Sequence, residues 1–136
     1  FNKWHKRKEK NAWKKFNENL ELFPKLKTRK VIRMTLIKGI FNNMKKEYIE
    51  DYIKLIKKAL PDFIEVKGYM SVGFARNRKG MGYENMPTHK EIKNFAQRIA
   101  KSLKDKEYKI LDEHEFSRVV LIGKDKNKMK IKNEEI

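Results

Sequence analysis

Two apolar runs with a helix-length amphipathic segment between them constrain this chain more than any other feature. Val31, Ile32, Met34, Leu36 and Ile37 are interrupted only by Arg33 and Thr35 before Lys38-Gly39. A β-branched and aliphatic run that is apolar on both faces suits a strand buried in a parallel sheet. Phe63, Ile64, Val66, Tyr69, Met70 and Val72 make the second run, ending in Gly73. Across residues 46–60, Tyr48, Ile49, Tyr52, Ile53, Ile56 and Leu60 fall on one helical stripe, and Lys45, Lys54, Lys57 and Lys58 fall outside it. Pro61-Asp62 stops that helix. Strand, helix and strand of these lengths imply a right-handed parallel crossover, and so an α/β fold with parallel strands and crossover helices.

The flanks extend the same plan. Asn11 is placed to cap a helix to about Leu22, with Trp13, Phe16, Leu20 and Phe23 at helical spacing and Pro24 behind them. After a long Gly-, Asn- and Arg-rich loop from Phe74 to Pro87, Thr88-x-x-Glu91 forms a capping box. The helix behind it carries Ile92, Phe95, Ala96, Ile99 and Leu103. Tyr108–Leu111 and Val119–Ile122 read as short strands around a polar turn at Asp112–Ser117. Residues 1–10 form a basic lead-in, 11–122 the folded portion, and 123–136 a loose lysine-rich tail. Two central strands alone make a poor sheet with both edges open, and a complete (β/α)₈ barrel takes ~250 residues. Together with an opening at Phe1 inside a basic segment, this points to a part of a longer fold.

Charge narrows the partner. Lys and Arg number 35 against 18 Asp and Glu, a net +17, and residues 1–30 hold eleven basic and three acidic residues. Such a surplus fits a polyanion, nucleic acid above all, although lysine-rich coding that merely coats the surface produces the same count. Cysteine is absent, so no thiolate of this chain is available for a disulfide, an iron–sulfur cluster or a Cys-based zinc site. His5, His89 and His114 stand at no ligand-like spacing, and no metal site is expected. No run approaches the ~20 apolar residues of a membrane span, which makes a cytoplasmic protein the expectation.

Chemistry in parallel α/β folds collects at the C-terminal ends of strands. Lys38 ends the first run, and Lys67 stands near the end of the second, two residues from Glu65 and so on the same strand face. Either lysine is a candidate catalytic or anion-binding group, or a snorkelling lysine at the rim. Arg76 and Arg78, followed by Lys79, offer forked donors for phosphate or carboxylate in the long loop, or a solvated loop charge. Gly80-Met81-Gly82 lacks the ending of a phosphate loop.

Five segments then occur in register: Arg33–Gly39, Phe63–Met70, Val72–Arg78, Asn85–Ile92 and Ser117–Ile122. In this order and spacing they resemble archaeal 4-demethylwyosine synthases, as does Asn11-Ala-Trp-Lys-Lys-Phe16 before them. Two departures are Ala75, where the family usually has Ser, and a longer stretch from Lys79 to Tyr83. The resemblance implies the C-terminal part of a partial (β/α) barrel of the radical S-adenosylmethionine type. It further implies a role in tRNA processing, in which a lyase joins two carbons of pyruvate to N1-methylguanosine of tRNA-Phe during wyosine biosynthesis. S-adenosylmethionine and 4Fe-4S clusters belong to the full-length enzyme, and the cluster cysteines to an N-terminal half that would be this chain's partner. It also brings Asn85 and His89 beside Arg76, Arg78 and Lys79 as candidates for substrate or tRNA-phosphate binding. A small basic RNA-binding module without catalysis is the alternative, and an α/β structural domain with incidental charge a third.

Overall fold

A computed structural model describes residues 11–131. Helix α1 spans Ala12–Leu22, strand β1 Val31–Leu36, helix α2 Ile49–Ala59 and strand β2 Phe63–Gly68. Helix α3 follows at His89–Ser102, then strands β3 at Lys109–His114 and β4 at Val119–Gly123. The lead-in at residues 1–10, with His5, lies outside the described residues, as do the last five residues of the tail.

The four strands form one sheet in the order β1-β2-β4-β3. The crossover through α2 makes β1 and β2 parallel, with Val31 opposite Phe63 and Leu36 opposite Gly68, as the strand–helix–strand pattern requires. The sheet as a whole is mixed, which corrects the expectation of parallel strands alone. β4 runs antiparallel to β2, and β3 pairs antiparallel with β4 through a hairpin. A connection of four residues cannot carry a crossover, so the last two strands can only turn back.

Alternation along the strands separates two faces. Met34, Leu36, Ile64, Val66, Val120 and Ile122 are all buried on one of them. They form a single core with Ile49 and Ile56 of α2, Ile92, Phe95, Ala96 and Ile99 of α3, and Leu103 and Tyr108 beyond α3. Tyr108 donates its hydroxyl proton to the Pro61 carbonyl, and burial, helped by Asp62, pushes that phenol up to about 12. The opposite face carries Arg33, Thr35, Glu65, Lys67, Val119 and Leu121 under partial or full exposure.

Four further expectations are corrected. β1 is an edge strand that alternates exposed and buried, with Val31 47% exposed, instead of a strand buried on both faces. β2 ends at Gly68, not at Gly73. Tyr69 still donates its N–H to Leu36, but its hydroxyl and that of Ser71 both bond the Met81 carbonyl, and the chain turns away from the sheet. Asn11 stands at the N-cap of α1 without a side-chain capping bond. Thr88 and Glu91, by contrast, form the full reciprocal box on α3. The turn of the hairpin is shorter than its polar composition indicates, because β3 runs on through Asp112 and Glu113 to His114. A bulge between Ile110 and Asp112 accommodates the extra residue. Among the described residues no helix is long and apolar enough to cross a membrane.

Candidate functional site

The C-terminal ends of β1 and β2 and the β3–β4 turn lie at one end of the sheet, since β3 runs parallel to β2 through its two antiparallel pairings. The loop of residues 69–87 is bolted to this rim by a buried amide. Asn85, 5% exposed, accepts from Gly82 N–H at 3.0 Å and donates to the Lys38 carbonyl at 3.2 Å. Its own carbonyl receives the Lys38 N–H at 2.9 Å. Gly39 next to it has φ 79°, and a Cβ there would collide with the Asn85 amide, so both positions are restricted. The hairpin is tied in the same way: Gly68 donates to the Arg118 carbonyl, and Arg118 donates from Nη1 to the Pro87 carbonyl at 2.9 Å.

This geometry sorts the residues singled out from the sequence. Lys38 reaches across to Glu91, with Nζ 3.1 Å from Oε2, and so braces the end of β1 against the start of α3. Hydrogen bonding from the Thr88 N–H, reinforced by Lys38, holds the Glu91 carboxyl below its usual range. Lys67 lies half-buried on the sheet face away from the helix-packed core, between Thr35 and Val119, and no acid pairs with it among the described residues. Glu65, its neighbour on that face, is taken by Arg33 at 2.8 Å. Arg76 donates from Nε to the Ser71 carbonyl at 3.2 Å and lies over the Tyr83 ring at 5.8 Å. Arg78 and Lys79 are exposed and form no ion pair among the described residues. His89 turns instead toward β3, with Nε2 3.0 Å from Glu113, which Lys93 also contacts at 2.6 Å. Lys93 first, and His89 second, hold Glu113 below the usual carboxylate range. The rim therefore gathers Lys38, Arg76, Arg78, Lys79 and Asn85, while Lys67 and His89 face two other surroundings.

Several residues that build the site gave little signal in sequence. Asn43 accepts the Ile37 N–H and donates to the Thr35 carbonyl, fixing the exit from β1. Phe74 and Phe116 sit in segments whose composition reads as loop and polar turn, yet they are 90% and 91% exposed, and Ile40 is 75% exposed. The available sign was an aromatic residue set between Gly73 and Ala75, where nothing nearby could bury it.

The donor set of a thiolate-held cluster is missing, because the chain has no cysteine. Among the described residues no three His, Asp or Glu side chains gather as they would around a metal ion.

The wyosine base formation family model matches residues 58–124, from the end of α2 to just past β4. The chain is homologous to the C-terminal region of the tRNA 4-demethylwyosine synthases. It is 47% identical over 115 residues to the S-adenosyl-L-methionine-dependent tRNA 4-demethylwyosine synthase of Pyrococcus abyssi, covering 85% of this chain and 31% of that protein. The synthase of Methanocaldococcus jannaschii is 32% identical over 120 residues, covering 88% and 35%. The crystal structure of archaeal TYW1 superposes with a TM-score of 0.60 at 31% identity, over 85% of this chain and 33% of that one. A structure of TYW1 with a lysine-pyruvate adduct bound gives 0.64 at 33% identity, over 88% and 34%. The chain thus spans about a third of the length of each of these four relatives.

Proposed function

We propose that this chain supplies the last barrel strands, one wall of the reaction chamber and part of the tRNA surface of a 4-demethylwyosine synthase. The observation that carries the reading is the 47% identity across 85% of the chain. The face bearing Arg33, Glu65 and Lys67, opposite the core where the helices pack, supports it, because barrel strands turn such a face inward and their helices outward. In the whole enzyme the reaction is the radical condensation of pyruvate carbons onto N1-methylguanosine of tRNA-Phe. S-adenosylmethionine and its 4Fe-4S cluster supply the radical and belong to the cysteine-bearing N-terminal half.

What this chain contributes is charge and shape. Of the two candidate lysines, Lys38 is held by Glu91, whereas Lys67 keeps an uncompensated ammonium on the inward face, suited to a carboxylate such as that of pyruvate. Arg78 and Lys79 offer phosphate contacts at the mouth. The test is reconstitution. Alone, with iron, sulfide, reductant, S-adenosylmethionine, pyruvate and tRNA, the chain should form neither 5′-deoxyadenosine nor 4-demethylwyosine. Combined with the cysteine-bearing segment of an archaeal relative it should form both, measured by mass spectrometry of digested tRNA. Product from this chain alone, or none from the combination once assembled, would overturn the reading.

A further inference from the structure

The rim does not look like a surface that binds phosphate alone. Phe116 and Phe74 are the two most exposed large hydrophobic residues among those described; Phe116 lies in the β3–β4 turn and Phe74 in the loop that leaves the C-terminal end of β2. Tyr83, 64% exposed, shares the loop with Phe74 and carries the Arg76 guanidinium on its ring. Arg78 and Lys79 follow in the same loop without acidic partners, and Glu84 is the one carboxylate between residues 69 and 87. Exposed rings interleaved with unpaired cations match a ligand that alternates flat apolar faces with negative charges at short intervals. A single-stranded nucleic acid has that chemistry, because every unpaired base presents a π-face and every linkage a phosphate. A base-paired duplex hides its faces, and an acidic peptide offers charge without them.

We propose that Phe74, Phe116 and the Tyr83–Arg76 pair form a stacking platform for unpaired RNA bases, with Arg78 and Lys79 holding the adjoining phosphates. Resting on the reading of a tRNA-modifying enzyme, this adds that the rim receives nucleotides unstacked from their loop and holds them open at the mouth of the chamber. The backbone prepares the platform. Tyr69 and Ser71 both bond the Met81 carbonyl, and Asn85 ties the loop to β1, so the rings are displayed from a braced segment. Little ordering cost then remains to be met on binding.

Three probes test this on the full chain: a single-stranded heptaribonucleotide, an abasic ribose–phosphate oligomer of the same length, and a duplex RNA. The heptamer should bind at least about ten-fold more tightly than the abasic oligomer, since stacking contributes on the order of 1–3 kcal/mol per base. Phe74→Ala should remove most of that advantage and leave duplex affinity and the salt dependence unchanged. Arg78→Ala should weaken all three probes and lower the salt slope by about 0.7 on the single strand. Leu26→Ala, an exposed apolar change before the opposite end of β1, should alter none of them. Equal affinity for heptamer and abasic oligomer overturns the platform. So does Phe74→Ala that leaves heptamer binding intact but weakens assembly with the cysteine-bearing segment, since the rings would then be an internal contact. If the platform fails while reconstituted enzyme still modifies tRNA, only this inference falls. If base stacking holds while no tRNA is modified, the functional reading falls instead.

Discussion

Asn85 illustrates how one side chain can be indispensable without touching a ligand. Its place in the sequence marks it as a candidate binding residue, yet its amide is spent on Gly82 and Lys38 inside the fold. Asn85→Ala should cost about 2–3 kcal/mol in urea unfolding, because a buried N–H and a buried carbonyl lose their partners together. Thr88 is a milder case. Its hydroxyl accepts the Glu91 N–H at 3.3 Å while Glu91 receives the Thr88 N–H at 2.7 Å. Thr88→Ala should cost about 1 kcal/mol. The depressed Glu91 carboxyl adds a dependence on pH, since its stabilising effect is present above the unfolded carboxylate range and is lost as pH falls through the lower, folded-state value. Glu91→Gln should therefore flatten the acid limb of a plot of melting temperature against pH, and an unchanged limb would assign acid sensitivity elsewhere.

At the level of elements, the sheet predicts its own order of opening. β2 lies between β1 and β4 with Ile64 and Val66 fully buried, whereas β1 has no strand on its outer side among the described residues. Amide exchange followed by mass spectrometry should be slowest in β2 and β4 and faster in β1, and binding of the cysteine-bearing segment should slow β1 selectively. The elements themselves were largely legible. α2, β1, β2 and the capping box of α3 follow from periodicity and capping chemistry, which are local. The pairing of β4 with β2 was not, because Val119–Ile122 would read the same in a parallel or an antiparallel pair, and the short turn fixes its direction only against β3. The end of β2 was missed for a related reason: Tyr69, Met70 and Val72 continue the apolar run, and only the distant Met81 carbonyl draws Tyr69 and Ser71 off the sheet. Within the site, unpaired charge near strand ends could be read directly. Which charge is neutralised could not, since the Lys38–Glu91 contact joins residues 53 positions apart.

Over the whole molecule the net +17 has a measurable signature. Binding to duplex RNA should weaken steeply with added salt, the log–log slope being near −0.9 for each phosphate neutralised on a B-form duplex and of similar size here. A slope near zero between low and physiological salt would show that the lysines coat the surface and steer nothing. Most acids of the described core are already occupied by bases, as in Lys57–Asp105, Lys58–Glu21 and Lys30–Asp62. The surplus is thus left to residues such as Arg78, Lys79 and Lys67 that have no such partner.

The two margins of the sheet are unequal. β3 presents Lys109, Asp112, Glu113 and His114 to solvent and is kinked by its bulge, whereas β1 offers Val31 and Thr35 on a straight run. Charges and bulges discourage a foreign strand from adding, so among the described residues the β1 margin is the more open of the two. Two copies that meet through β1 cover both of these open margins, which closes the pair instead of propagating it. With β1 left uncovered, this chain should accumulate as two-fold pairs instead of fibrils, and light scattering should find a mass that stops growing at twice 16.4 kDa.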